Sequence, residues 1–250
     1  MNFLIAAAHP NDEVLGTGES IARWVREGHH VSVLFFTGGV GSRGKNSTGA
    51  KVRQKAARNA AEILGFTIAG FGGFPDNQLD RVALLEIAQA VERVKKKLQP
   101  EFVLTHFWGD SNIDYRRVFE AVLTAFRPQA SEKCRTIQSF EVASAIDCGS
   151  PASAFRPESY TEVSSAEVEK AVLAYQAYAS EVRDDPTVAP WKRSSRAACC
   201  VAAKSASSGP KLSYSAASSL YSHRRNHPFG KPPRSCAPSN GTRAPFISND

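Results

Sequence analysis

The sequence predicts an α/β protein with a Rossmann-like, mostly parallel sheet flanked by helices. Three observations carry this. Short apolar runs of strand length alternate with helical patterns up to about residue 145. Strands separated by such helices call for parallel βαβ units with right-handed crossovers. The polar clusters fall just beyond the carboxyl ends of four strands, where an open α/β sheet binds its ligands.

"FLIAAA" (3–8) is too short and too apolar for anything but a buried strand. "EVLGTGESIARWVREG" (13–28) then places Val14, Ile21, Ala22 and Val25 near one helical face. "HVSVLFFT" (30–37) is the second strand. "KVRQKAARNAAEILGF" (51–66) is a helix, followed by a short strand at "TIAGF" (67–71). The clearest helix is "RVALLEIAQAVERVKKKL" (81–98), with Val82, Leu85, Ala88, Val91, Val94 and Leu98 forming a stripe. "FVLTHF" (102–107) is a strand, "YRRVFEAVLTAF" (115–126) a helix and "TIQSFEVA" (136–143) a last strand.

The net charge of +7 belongs to the tail. Residues 191–250 hold ten Lys/Arg against one acid, Asp250, a balance of +9 that leaves −2 for the other 190 residues. The body therefore gives no electrostatic case for nucleic acid. The tail is Ser/Ala/Pro/Gly-rich and has no sustained periodicity, which predicts a disordered basic extension. A second reading is translation from a shifted frame. No apolar run reaches the roughly 20 residues that cross a membrane. The opening lacks the basic segment of a secretory signal, so a cytoplasmic protein is expected. The five cysteines form no CxxC pair, hence no zinc ribbon.

Four loops carry the chemistry. "AHPNDE" (8–13) packs a histidine, an amide and two carboxylates behind a buried strand. His9 and Asp12 are ligand types suited to zinc, and a spacing of three across a strand-to-helix turn lets both face one point. The same residues equally suit a helix cap, with Asn11 or Asp12 at the N-cap and Glu13 in the first turn. "GVGSRG" (39–44) fits G-x-G-x-x-G, but the loop runs on through "KNSTGA" before a helix, which disfavours a dinucleotide site. "FPDNQLD" (74–80) is turn chemistry. "HFWGDSNIDYRR" (106–117) gathers one His, two Asp, one Asn and two Arg between a strand and a helix, and Asp114 there suits an N-cap.

These residues resemble a known family, the LmbE-like (PIG-L) zinc-dependent N-acetylglucosaminyl deacetylases. "AHPNDE" is similar to the family's A-H-P-D-D-E. The likeness continues in order through "AAEILG", "FPDNQLD", "THFWGDSNIDYRRVFEAVLTAFRP" and "SFEVAS" to "AYASEVRDDP" (177–186). It thus covers about residues 1–190 as one deacetylase domain, leaving 191–250 as the tail. The resemblance implies a Rossmann-like fold and zinc held by His9, Asp12 and the residue at position 115. It implies a catalytic role for position 11 as general base and for Asn112 and Asp114. It also implies sugar contacts from Arg43, Arg53, Asp76 and His106. The implied substrate is a small N-acetylated sugar conjugate.

The chain departs from the pattern at three places. Asn11 stands where the family has its basic aspartate, and an amide accepts no proton. Tyr115 stands where the family has its third zinc ligand, a histidine, and a phenol is a poor ligand near pH 7. Asp110, Asp114 and His106 are the candidates to replace it. Gln54 and Lys55 follow Arg53, where the family carries an acid. Two expectations follow: a metal-dependent deacetylase, or a sugar-binding relative impaired in catalysis because it lacks the base and the third ligand.

Overall fold

The computed structural model describes residues 1–41, 47–142 and 154–179. Arg43, the end of "GVGSRG", most of "AYASEVRDDP" and the whole basic tail lie outside the described residues.

The chain alternates strand and helix as its sequence predicts. β1 (Asn2–Ala7) leads to α1 (Asp12–Arg26), β2 (His30–Thr37), α2 (Ser47–Leu64) and β3 (Thr67–Phe74). A 3-10 turn (Leu79–Arg81) precedes α3 (Leu84–Leu98), β4 (Phe102–His106), α4 (Ile113–Ala125) and β5 (Thr136–Phe140), and α5 (Ser165–Gln176) follows. The five strands form one sheet in the order β3-β2-β1-β4-β5. Every neighbouring pair is parallel, from Asn2 opposite His30 through Ala7 opposite Phe35 in the first pair. A central parallel strand covered on both faces must be apolar throughout. That is why Phe3 to Ala8 are all buried.

The helices form two layers. α5 packs on α1 and α2, while α3 packs on α4. α1 begins with Asp12 and Glu13 and ends with Arg23 and Arg26, so its charges complement its dipole. Gly16 lets α1 approach the end of β5: a Cβ there would lie 2.3 Å from Phe140 Cδ2 and 2.9 Å from the Glu141 carbonyl oxygen. The strand order reverses between β1 and β4, so the loops after these two strands flank the switch point of the sheet.

The structure corrects several expectations. β3 runs to Phe74 instead of ending at 71, because two register shifts against β2 accommodate its glycines. α2 starts at Ser47, inside "KNSTGA", so the glycine loop is closer to a helix than the sequence suggested. It nonetheless follows β2 and not β1, and the acid some 20 residues on, Glu62, is exposed on α2. The helix α5 was not anticipated at all. Its signal was the Ser164–Glu167 capping box, in which the Ser164 N–H donates to the Glu167 carboxylate at 2.5 Å. Arg26 of α1 also donates to that carboxylate, at 2.7 Å, and ties α5 to α1. Among the described residues, no helix is long and apolar enough to cross a membrane.

Candidate metal centre

The loop from β1 to α1 is a tight turn. Asn11 takes a left-handed conformation (φ 112°), one that asparagine tolerates better than most residues. It occupies the N-cap position, yet its side chain makes no cap bond. The Asp12 carboxylate does not cap either: its Oδ2 accepts the His9 N–H at 2.8 Å and its Oδ1 accepts the Tyr115 hydroxyl at 2.7 Å. The capping alternative for His9 and Asp12 therefore gives way to a side-chain cluster.

His9 is the centre of that cluster. Its Nδ1 lies 3.3 Å from Asp12 Oδ2. Its Nε2 lies 3.0 Å from Asp114 Oδ2 and 3.2 Å from Asp76 Oδ1. One buried imidazole thus faces three buried carboxylates drawn from three loops. Burial works against its charged form, but the Asp12 charge and bonds to Asp114, Asp12 and Asp76 outweigh it and hold its pKa well above the ordinary value. For Asp12, burial is likewise outweighed, chiefly by His9, and the pKa is lowered.

The two aspartates beyond Nε2 are held by their own loops. Asp114 accepts the backbone N–H of Asn77 at 2.7 Å and of Leu79 at 3.0 Å. Asp76 accepts the Thr37 hydroxyl at 3.1 Å and the Asn77 side-chain amide at 3.3 Å. The Pro-Asp-Asn turn after β3 is therefore part of the site. The N-cap of α4 is Asn112, whose side chain accepts the Asp114 N–H at 2.8 Å. That corrects the expectation that Asp114 is the cap, and it commits the Asn112 carbonyl oxygen to the helix.

Tyr115 and His106 are placed differently from their expected roles. The Tyr115 ring lies flat on His106, 3.9 Å between centroids and 3° between planes. Burial and the Asp12 charge push its phenol well above the ordinary pKa, so it stays a proton donor and not a phenolate ligand. His106 is fully buried, and its Nε2 accepts the Ala8 N–H at 2.8 Å, bracing β1 against β4. Burial lowers its pKa to about 4, so the ring is neutral with its proton on Nδ1. A ring so enclosed does not reach a substrate, which corrects the expected sugar contact.

Arg53 is buried on α2 and donates to the Gly39 carbonyl oxygen. At Gly41 a Cβ would lie 2.9 Å from the Asp76 Cβ. The glycine loop thus allows close approach to the protein's own Arg53 and Asp76.

Sequence reasoning missed two site residues. Glu13 is fully buried beside Asp12, with Oε1 accepting the Tyr178 hydroxyl at 2.5 Å and Oε2 the Asn11 N–H at 2.9 Å. Burial raises its pKa to about 7. Tyr178 comes from the start of "AYASEVRDDP", the only part of that segment within the described residues. The alternation of the opening motif could have flagged Glu13; nothing local could have paired it with Tyr178.

Among the described residues, His9, Asp76 and Asp114 form a group whose ligand atoms all lie within 4.8 Å of one another. An imidazole with carboxylates is a nitrogen and oxygen donor set that suits a divalent ion such as zinc. The donor set fits a metal; which edge of His9 it uses is a separate matter.

A doubly wound parallel sheet with such a cluster at its switch point defines a Rossmann-like enzyme fold. Residues 4–126 match the family described as GlcNAc-PI de-N-acetylase (PIG-L), and over them the chain belongs to the PIG-L, LmbE-like, deacetylase family. An uncharacterized deacetylase, YaiS, from Escherichia coli strain K12 is 29% identical over 140 residues, 54% of this chain and 69% of that one. The hydratase GalB of Pseudomonas putida KT2440, which acts on 4-carboxy-2-hydroxymuconate, superposes with a TM-score of 0.65 at 21% identity, covering 86% of this chain and 99% of its own. The N,N'-diacetylchitobiose deacetylase of Pyrococcus horikoshii gives 0.60 at 19%, covering 78% and 74%. At these identities the solved structures speak for the fold. A hydratase among them shows that the fold alone does not fix the reaction.

Proposed function

We propose that the protein is a metal-dependent deacetylase that hydrolyses the N-acetyl group of a GlcNAc-type sugar conjugate in the cytoplasm, releasing acetate and a free amine. The observation that carries this is the buried His9 ring with Asp12, Asp76 and Asp114 around it, at the carboxyl edge of a sheet of the deacetylase family. His9 and these carboxylates would hold the metal. A bound divalent ion supplies polarisation of the amide carbonyl and a water acidic enough to attack near neutral pH.

The rest is done by the chain's own groups. The backbone bonds from Asn77 and Leu79 fix Asp114, and Asp114 fixes His9. Arg53, with Arg43 by the family resemblance, faces the sugar side. Asn11 supplies no base. A positioned base is worth about 10²–10⁴ in rate, so turnover is expected to be lower than that of a chain with a carboxylate there by about that factor. Glu13 does not replace it, because both its oxygens are engaged by Tyr178 and Asn11.

The test is amine and acetate release from an N-acetylglucosamine conjugate by the full chain, with and without added zinc. Slow, zinc-dependent release in equal amounts supports the reading. A folded, zinc-loaded chain that binds the conjugate and releases nothing replaces it with the catalytically impaired sugar-binding relative.

A further inference from the structure

We infer that the metal of this chain sits on the Nε2 edge of His9, held by His9, Asp76 and Asp114, and not on the Nδ1 edge with Asp12 and position 115. The inference rests on the metal-dependent reading above, and it differs from the ligand set that the family resemblance implies.

The Nδ1 edge is closed by bonds within the protein. Both oxygens of Asp12 are used, one by the His9 N–H at 2.8 Å and one by the Tyr115 hydroxyl at 2.7 Å. Tyr115 would have to abandon that bond and leave its face-to-face stack on His106 before its oxygen could turn to a metal. His106 cannot substitute, since its Nε2 accepts the Ala8 N–H. One edge thus offers an imidazole nitrogen, a doubly committed carboxylate and a phenol hydroxyl aimed elsewhere.

The Nε2 edge has the opposite character. Ligands at about 2.0–2.1 Å from a tetrahedral zinc stand about 3.3–3.4 Å apart. Here Nε2 is 3.0 Å from Asp114 Oδ2 and 3.2 Å from Asp76 Oδ1, and all three atoms fall within 4.8 Å of one another. Expansion by a few tenths of an ångström would open the set around an ion. Both carboxylates are oriented from behind, Asp114 by two backbone N–H groups and Asp76 by Thr37 and Asn77. Such supporting bonds are what a metal ligand of this type needs. Three protein ligands leave a position open for water or substrate. Asp76 then becomes a metal ligand and not the sugar contact that the resemblance implies.

The experiment is zinc content of the full chain by elemental analysis after dialysis, for the native protein, Tyr115→Phe and Asp76→Asn, with circular dichroism on each. About one zinc per chain is expected in the native protein and in Tyr115→Phe, falling to near none in a folded Asp76→Asn. Asp76→Cys loaded with cobalt gives a second reading: a thiolate-to-cobalt absorption band appears if residue 76 is a ligand. The inference is overturned if Tyr115→Phe loses zinc while Asp76→Asn keeps it, if the folded native chain binds none, or if cobalt binds Asp76→Cys without the band. Zinc that depends on Asp76 in a chain that releases no amine sinks the deacetylase reading alone. Amine release with zinc indifferent to residue 76 sinks this inference alone.

Discussion

Asp114→Asn is the most informative single change in the site, because three loops meet on this carboxylate. Oδ1 accepts the Leu79 N–H at 3.0 Å, and Oδ2 accepts the Asn77 N–H at 2.7 Å while lying 3.0 Å from His9 Nε2. An asparagine keeps the shape but turns one oxygen into a donor. Whichever way the amide faces, at least one backbone N–H then meets an N–H. A hydrogen bond to a charged group contributes about 1.5–3 kcal/mol, and a buried donor left unsatisfied costs about 1–3 kcal/mol. Losing one backbone bond outright and weakening the other together with the His9 contact puts the cost at about 3–5 kcal/mol. Native stabilities are about 5–15 kcal/mol, so the variant should fold with little margin. The assay is urea unfolding in the presence of a chelator, so that lost metal binding does not enter. Asn112→Ala serves as the comparison. It removes one N-cap bond, to the Asp114 N–H, and should cost about 0.5–2 kcal/mol. If Asp114→Asn shifts stability by less than Asn112→Ala does, Asp114 is not the hub that positions His9, and the account of the site fails with it.

Other consequences can be checked separately. The double variant Asn11→Asp, Tyr115→His rebuilds the family pattern on the Nδ1 edge. It should raise deacetylation about 10²–10⁴-fold and keep its zinc when Asp76→Asn is added; unchanged turnover would place the base elsewhere. Gly16→Ala puts a Cβ 2.3 Å from Phe140 Cδ2 and 2.9 Å from the Glu141 carbonyl oxygen, an overpacking that should cost at least about 1–3 kcal/mol and lower Tm by several degrees; an unshifted melting curve would mean α1 does not sit this close to β5. In chelated protein, ring NMR against pH should show His106 neutral down to about pH 4 and His9 charged well above 6.5. The signs are opposite. The unfolded chain protonates His106 below about 6.5 while the folded chain does not until about 4, so its contribution is full at neutral pH and is lost as pH falls across that window. The contribution of His9 is full below 6.5 and is lost as pH rises through its elevated pKa. Burial pushes the Cys134 thiol up to about 11 from 9.0, so alkylation at pH 8, followed by peptide mass spectrometry, should run about 100-fold slower than at an ordinary thiol.

The parts of the fold that the sequence made legible share one property: their burial is periodic along the chain. β1 and β2 are buried on both faces and read as unbroken apolar runs. α3 buries Ile87, Ala88, Ala90, Val91 and Val94 and reads as a stripe. β3 was cut short because "GFGGF" offers few side chains to carry a strand signal, and its pairing comes from β2. α5 went unread because its hydrophobic pattern is weak, and only Ser164 and Glu167 mark its start. In the site, spacing brought out His9 and Asp12 and named position 115. It could not show which way each carboxylate points. The meeting of His9 with Asp76 and Asp114, and the burial of His106 behind Tyr115, are products of the sheet order, in which β1 lies between β2 and β4.

That sheet order also explains how a replaced ligand need not abolish a metal site. In a site built on Nδ1, a carboxylate on Nε2–H would fix the tautomer and the ring plane, the supporting bond that metal-bound histidines usually keep. Asp114 is placed for that task by bonds that do not involve position 115 at all. When position 115 carries a phenol that binds Asp12, the Nδ1 edge loses its third donor but the Nε2 edge loses nothing. Asp76 already stands within 3.2 Å of Nε2, so the step from supporting bond to ligand requires loss of a proton from His9 and no movement of backbone. A site of this kind can therefore survive Tyr115 by changing edges of one ring. The observable signature of that change is zinc that answers to Asp76 and ignores Tyr115.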